Sequence, residues 1–185
     1  ANINYILLGS QESMMTDIFE RPKSPFYHFG MLMRLNKIPQ EDFLRYLQDR
    51  LSPVTVNSEE IARKILNFTD NHPYYTQQLA SAIWDMIALG KGDKEVFDNA
   101  IADIVQSHDL DYERLWLTFN KTDQLMIRLV CQGSNPVKSR MLPTSTMTSS
   151  LKRLAQKGYI INREKDDYAM EDPFFKEWII QQQQL

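Results

Sequence analysis

Lys138, Arg140, Lys152, Arg153, Lys157, Arg163 and Lys165 crowd the last third of the chain. Between residues 121 and 165 nine Lys and Arg stand against only Asp123 and Glu164, a local charge of +7. The whole chain carries −3, so the remainder holds ten excess negatives. A basic stretch on an acidic body suits contact with a phosphate backbone, where each cation displaces condensed counterions. The hydroxyl of Ser149 lies among these cations in sequence and can bond a phosphate oxygen.

These side chains need elements to position them. The pattern predicts a helix from Thr122 to Gln132, a turn-rich stretch from Gly133 to Pro143, a second helix from Ser145 to Lys157, a hairpin and a closing apolar helix. In the second helix Met147, Leu151 and Leu154 recur at i, i+4 and i+7, which buries one face and turns Ser149, Ser150, Lys152, Arg153 and Lys157 to the others. Gly158 ends it, Tyr159 to Arg163 and Tyr168 to Met170 alternate as strands, and Glu164 to Asp167 makes the turn. This order predicts a winged helix-turn-helix domain over residues 119–185, with the hairpin as its wing. No Asn, Gln or Arg is placed on the outward face for bidentate base reading, so both DNA, through its phosphates, and a protein fit as partners. For DNA, charge reversal at Lys152 and Arg153 is expected to abolish binding and leave the fold intact.

Upstream, Ile3 to Gly9 is a near-continuous apolar run, which predicts a buried strand of a parallel sheet, followed by a helix from Ser13 to Phe19. Met31 to Leu35 predicts a second short strand, and Pro39 opens a helix with Glu41 and Asp42 in its first turn, running to about Leu51. Ser58 is the expected cap of a helix from Glu59 to Phe68; Pro73 starts another through Leu89, and Lys94 to Val105 is a third. Asp109, Asp111 and Glu113 follow a helix end and are expected on a solvated face. The fold class expected is mainly α, with a remnant of an α/β core over residues 1–50, a helical segment over 51–118 and the winged helix at the end. Two short strands cannot cover their own faces and edges, so the chain reads as a fragment that begins inside a sheet, with exposed strands open to self-association.

The run Asn4 to Met15, then Ser24-Pro25-Phe26-Tyr27, Ile38-Pro39, and Thr69-Asp70-Asn71-His72-Pro73-Tyr74-Tyr75, closing on Tyr168 to Phe175 and Trp178, resembles the C-terminal half of the archaeal-type P-loop ATPases of the AAA+/STAND group. The resemblance covers nearly the whole chain and rests on the order of its landmarks. It implies that residues 1–50 end an ATPase core, that 51–118 form its helical lid, and that ATP and Mg are bound in the full-length parent, whose missing N-terminal half is a partner. It places Ser10 at the sensor-1 position and His72-Pro73 in the lid segment that approaches the nucleotide base. Two positions depart from the family pattern: Asn71 stands where glycine is usual, and His28-Phe29 replaces a Gly-Arg pair.

No Gly-x-x-x-x-Gly-Lys-Ser/Thr occurs, so the chain alone lacks a phosphate cradle and is not expected to hydrolyse ATP. His28, His72, His108 and the lone Cys131 have no zinc spacing, and Gly9-Ser10-Gln11 lacks the second glycine of a nucleophile elbow. Met14, Met15, Met31 and Met33 are expected to fill a core rather than form a binding box. A single cysteine allows no internal disulfide, which favours a reducing, cytoplasmic setting, and no apolar run is long enough for a membrane span. A free-standing winged-helix DNA-binding regulator is the alternative reading.

Overall fold

A computed structural model describes residues 5–9, 12–31, 33, 38–90, 95–164 and 167–182. The chain divides into two compact units, Ala1–Asn36 and Lys37–Leu185. The expected boundaries near residues 50 and 118 both fall inside the second.

In the first unit, residues 5–9 form no strand, and Tyr5, Ile6, Leu7 and Leu8 are exposed. Over these residues this corrects the expectation of a buried strand from Ile3 to Gly9, of which Ile3 and Asn4 lie outside the described residues. A lone strand has no partner for its backbone N–H and C=O groups, and no other strand lies among the described residues of this unit. Met31 and Met33, expected in a second strand and a core, are likewise outside any strand and exposed. Helix α1 spans Glu12–Phe19. Turns follow it, tied back by a bond from His28 N to Phe19 O at 3.1 Å and by the ring pairs Phe19/Phe26 and Phe26/Phe29, 6.0 and 5.8 Å between centroids. His28 takes a left-handed φ of 56°.

The second unit is mainly helical: α2 (Gln40–Leu51), α3 (Ser58–Thr69), α4 (Pro73–Ala88), α5 (Val96–Ser107), α6 (Asp109–Thr118), α7 (Lys121–Cys131), α8 (Thr144–Gln156), strands β1 (Ile160–Glu164) and β2 (Asp167–Met170), and α9 (Pro173–Gln182). Apolar stripes recur at helical spacing. In α3, for example, Ile61, Ala62, Ile65 and Leu66 are all buried against α2 and α4. Ser58 proves to be the first helical residue rather than the cap, which is Asn57. Pro73 takes the first helical position after an extended His72, where its missing N–H costs no hydrogen bond.

Helix α6 was not expected as a separate element. It follows α5 after His108 alone and opens with Asp109 and Asp111 in its first turn. Asp109 is not simply solvated, because it accepts a hydrogen bond from Trp178 Nε1 at 2.7 Å.

Helix α9 gathers the core. Phe174 packs on Phe68 of α3 and Tyr75 of α4, at 5.5 and 6.0 Å between centroids, and Phe175 packs on Tyr112 of α6 at 5.1 Å. Its other contacts reach α5, α7 and β2, so one helix stitches the terminal elements to the helical ones. The two strands pair antiparallel, with Ile160 opposite Met170, both buried.

Candidate nucleic-acid interface

Helix α8 hangs on Met147, Leu151 and Leu154, all buried, against α7 and β1. With that stripe fixed, Ser145, Ser149, Lys152 and Gln156 recur at helical spacing on its exposed side, with Lys157 just past the end. The helix contains no acidic residue, so nothing on it offsets Lys152. Ser149 and Lys152 therefore lie together as expected.

Ser150 and Arg153 do not. Ser150, expected on an outer face, is 1% exposed and donates its hydroxyl to Asp123 Oδ1. Arg153 donates from Nε to Asp123 Oδ2 at 3.2 Å and from Nη2 to Oδ1 at 2.5 Å. Asn120 Nδ2 donates to the same carboxylate at 2.9 Å, while its Oδ1 accepts from Asp123 N and caps α7. Four donor bonds thus use the lone pairs of one carboxylate that is only 7% exposed. Breaking such a pair leaves a buried charge, so Arg153 serves the joint between α7 and α8 rather than lying free for phosphate. Hydrogen bonding to Asp123 also raises the Arg153 pKa above its ordinary value.

Beside this joint the starts of the two helices bound an open groove of about 610 Å³, lined by Asn120, Lys121, Thr122, Ser145, Thr146, Ser149 and Arg153. Sequence reasoning passed over Lys121, because it belongs to the supporting helix; only the packing of α7 on α8 brings it beside Ser149.

The remaining cations are spread. Lys138 and Arg140 are exposed on the loop between α7 and α8, where Lys138 N bonds Asn135 Oδ1 at 3.1 Å and Arg140 adopts a left-handed φ of 54°. Arg163 is held: its Nη2 lies 3.0 Å from Asp70 Oδ2, both side chains being about half exposed (48% and 45%). An ion pair that open contributes only about 0–1 kcal/mol. Lys165 lies outside the described residues.

Of the residues the resemblance links to a nucleotide, Ser10 also lies outside the described ones. His72 precedes Pro73 at the start of α4, meets the Tyr75 ring at a tilt of 45° and 4.5 Å between centroids, and turns Nε2 to Glu171 Oε1 at 3.4 Å; its Nδ1 is buried and has no hydrogen-bond partner among the described residues. A cleft of about 340 Å³ here is lined by Asp70, Asp167 and Glu171 as well as Arg163 and Lys176. Three carboxylates, Asp70 among them held by Arg163, make this cleft a poor home for a triphosphate.

Nearby, Asp172 caps α9, accepting from Phe174 N at 2.8 Å, Phe175 N at 3.0 Å and Tyr112 Oη at 3.1 Å. Burial raises its pKa, and those bonds only partly offset the shift. Burial, followed by the charge of Asp172, pushes the Tyr75 and Tyr112 phenols above their usual range. The Cys131 thiol is pushed up to about 12 by burial, which makes it a poor nucleophile. Among the described residues no group of three or more His, Cys, Asp or Glu is placed to hold a metal ion, and no helix is long and apolar enough to cross a membrane.

Comparison with protein-family models, with curated proteins and with solved structures returned no match to this chain.

Proposed function

We propose that this chain is the helical-lid and winged-helix portion of a P-loop ATPase of the AAA+/STAND group, relaying the state of a nucleotide bound elsewhere in the protein to a terminal interaction module. The observation that carries this reading is the contact between the turn before Pro73 and the hairpin. Asp70 and His72 reach Arg163 and Glu171 at 3.0 and 3.4 Å, so a shift of the turn that the resemblance links to the nucleotide would be felt by the wing. The order of α7, α8, hairpin and α9 supports the winged-helix assignment. In this reading Ser10, His72 and Pro73 serve nucleotide contact in the parent. ATP and Mg are gripped by a phosphate loop that these 185 residues do not contain. The test is made on the natural gene product that includes residues 1–185: it binds ATP, and ATP with Mg changes amide exchange across residues 160–170. Failure of that protein to bind ATP removes the reading.

A second reading, a winged-helix module that binds DNA and acts as a regulator, is favoured by the exposed side of α8, which offers Ser145, Ser149, Lys152 and Gln156 with no acidic neighbour on the helix. It predicts affinity for duplex DNA that falls steeply with salt, largely independent of sequence. Absence of binding even at low salt ends it.

A further inference from the structure

Arg163 owes its position to an irregularity in the hairpin. Ile160, Ile161 and Asn162 pair with Met170, Ala169 and Tyr168, after which Glu164 pairs with Asp167. Arg163 is therefore the extra residue of a bulge, a device that re-aims a side chain away from the regular alternation. Asp70 owes its position to an equally uncommon turn. It follows α3 at a φ of 49°, and Asn71 comes next at 57°, consecutive left-handed residues of the two types that tolerate this conformation best after glycine. Two local departures from regular backbone thus meet in one ion pair at 3.0 Å.

The pair differs in kind from the one at Asp123. There the carboxylate is almost fully buried; here both partners are about half exposed, so water and a dissolved anion reach them without unfolding. Around it stand Asp167, Glu171, His72 and Lys176, leaving the cleft with more carboxylates than permanent cations. A phosphate approaching Arg163 must displace Asp70 and meet that acidic lining.

We infer that Asp70 is an internal competitor for nucleic acid: clasped to Arg163, it withholds one cation of the hairpin from a duplex DNA backbone, and release of the clasp raises affinity. This rests on the DNA-binding reading of α8 and adds a regulation to it. Glu171, 3.4 Å from His72, forms the second tie between the same turn and the end of the hairpin.

The experiment uses residues 1–185 and a fluorescein-labelled duplex, with anisotropy followed from low to physiological salt. Asp70→Asn keeps the size and left-handed tolerance of the side chain and removes its charge. The expected result is tighter binding, with the salt slope steeper by about one phosphate contact. Arg163→Gln should cancel that gain in the Asp70→Asn background while changing the parent chain little. Far-UV circular dichroism of each variant confirms that the fold is kept. Binding by the parent with no gain from Asp70→Asn overturns the clasp and leaves the DNA reading standing. Weaker binding by Asp70→Asn overturns it too, since Asp70 would then support the binding form. If neither chain binds at low salt, the DNA reading fails and the clasp with it.

Discussion

Arg153 on α8 reaches Asp123 on α7, with Nε 3.2 Å from Oδ2, and this pair shares its carboxylate with Ser150 and Asn120. One buried acid on α7 therefore ties down the helix that presents Ser149 and Lys152. Removing Arg153 leaves that acid without its countercharge. Arg153→Ala should lower stability by about 2–3 kcal/mol, less than a fully buried pair because Asn120 and Ser150 still donate to it. Urea denaturation measures this. A loss below about 0.5 kcal/mol would mean that the pair behaves as a surface contact.

The same geometry corrects the choice of variants for a DNA-binding test. Reversing Arg153 would set a second carboxylate against Asp123 and damage the fold, so loss of binding would carry no information. Lys152 and Lys157 are exposed, and neither has a partner in a salt bridge among the described residues. Lys152→Glu with Lys157→Glu should leave the circular dichroism spectrum and urea midpoint nearly unchanged while reducing duplex affinity by at least about tenfold at low salt. Undiminished affinity would show that α8 does not face the phosphates.

Asp172 supplies a pH dependence whose sign is set by burial. Its pKa in the folded chain lies above the ordinary 3.8, so between those two values the native state holds more protons than the unfolded one. Its contribution to stability is therefore fully present below pH 3.8 and is lost as pH rises through the raised value. Asp172→Asn can still cap α9 but does not ionise. Stability of the parent relative to this variant should decline on going from acid to neutral pH. A difference that stays constant across that range would place Asp172 in a solvated setting.

Phe174 of α9 sits between Phe68 of α3 and Tyr75 of α4, while its neighbour Phe175 packs on Tyr112 of α6. A helix shared in this way should bind the helical elements and the hairpin into one cooperative unit. Circular dichroism and tryptophan fluorescence are expected to report coincident urea transitions. Phe174→Ala should move both together, by about 3–5 kcal/mol. Two separated transitions would show that residues 119–185 fold independently.

The apolar stripes were legible in the sequence because burial along a helix repeats every 3.6 residues. Met147, Leu151 and Leu154 announce which side of α8 is hidden, and Pro73 and Gly158 mark a helix start and a helix end. Helix α6 was hidden because it carries almost no apolar stripe, Tyr112 being its one buried residue, so its opening acids read as a solvated stretch after a helix end. Residues 5–9 failed in the opposite sense. Their apolar run has the composition of a buried strand, yet a strand exists only where another backbone answers its hydrogen bonds.

Where each polar group went was decided by the tertiary structure alone. Ser150 and Arg153 look like surface residues until Asp123, 27 and 30 positions earlier, is packed beneath them. Arg163 reads as a free cation until a hairpin bulge and a left-handed turn bring it to Asp70. Periodicity is local, because it follows from the geometry of one element. The partner of a charge is not, because it depends on which distant element packing carries within about 3 Å.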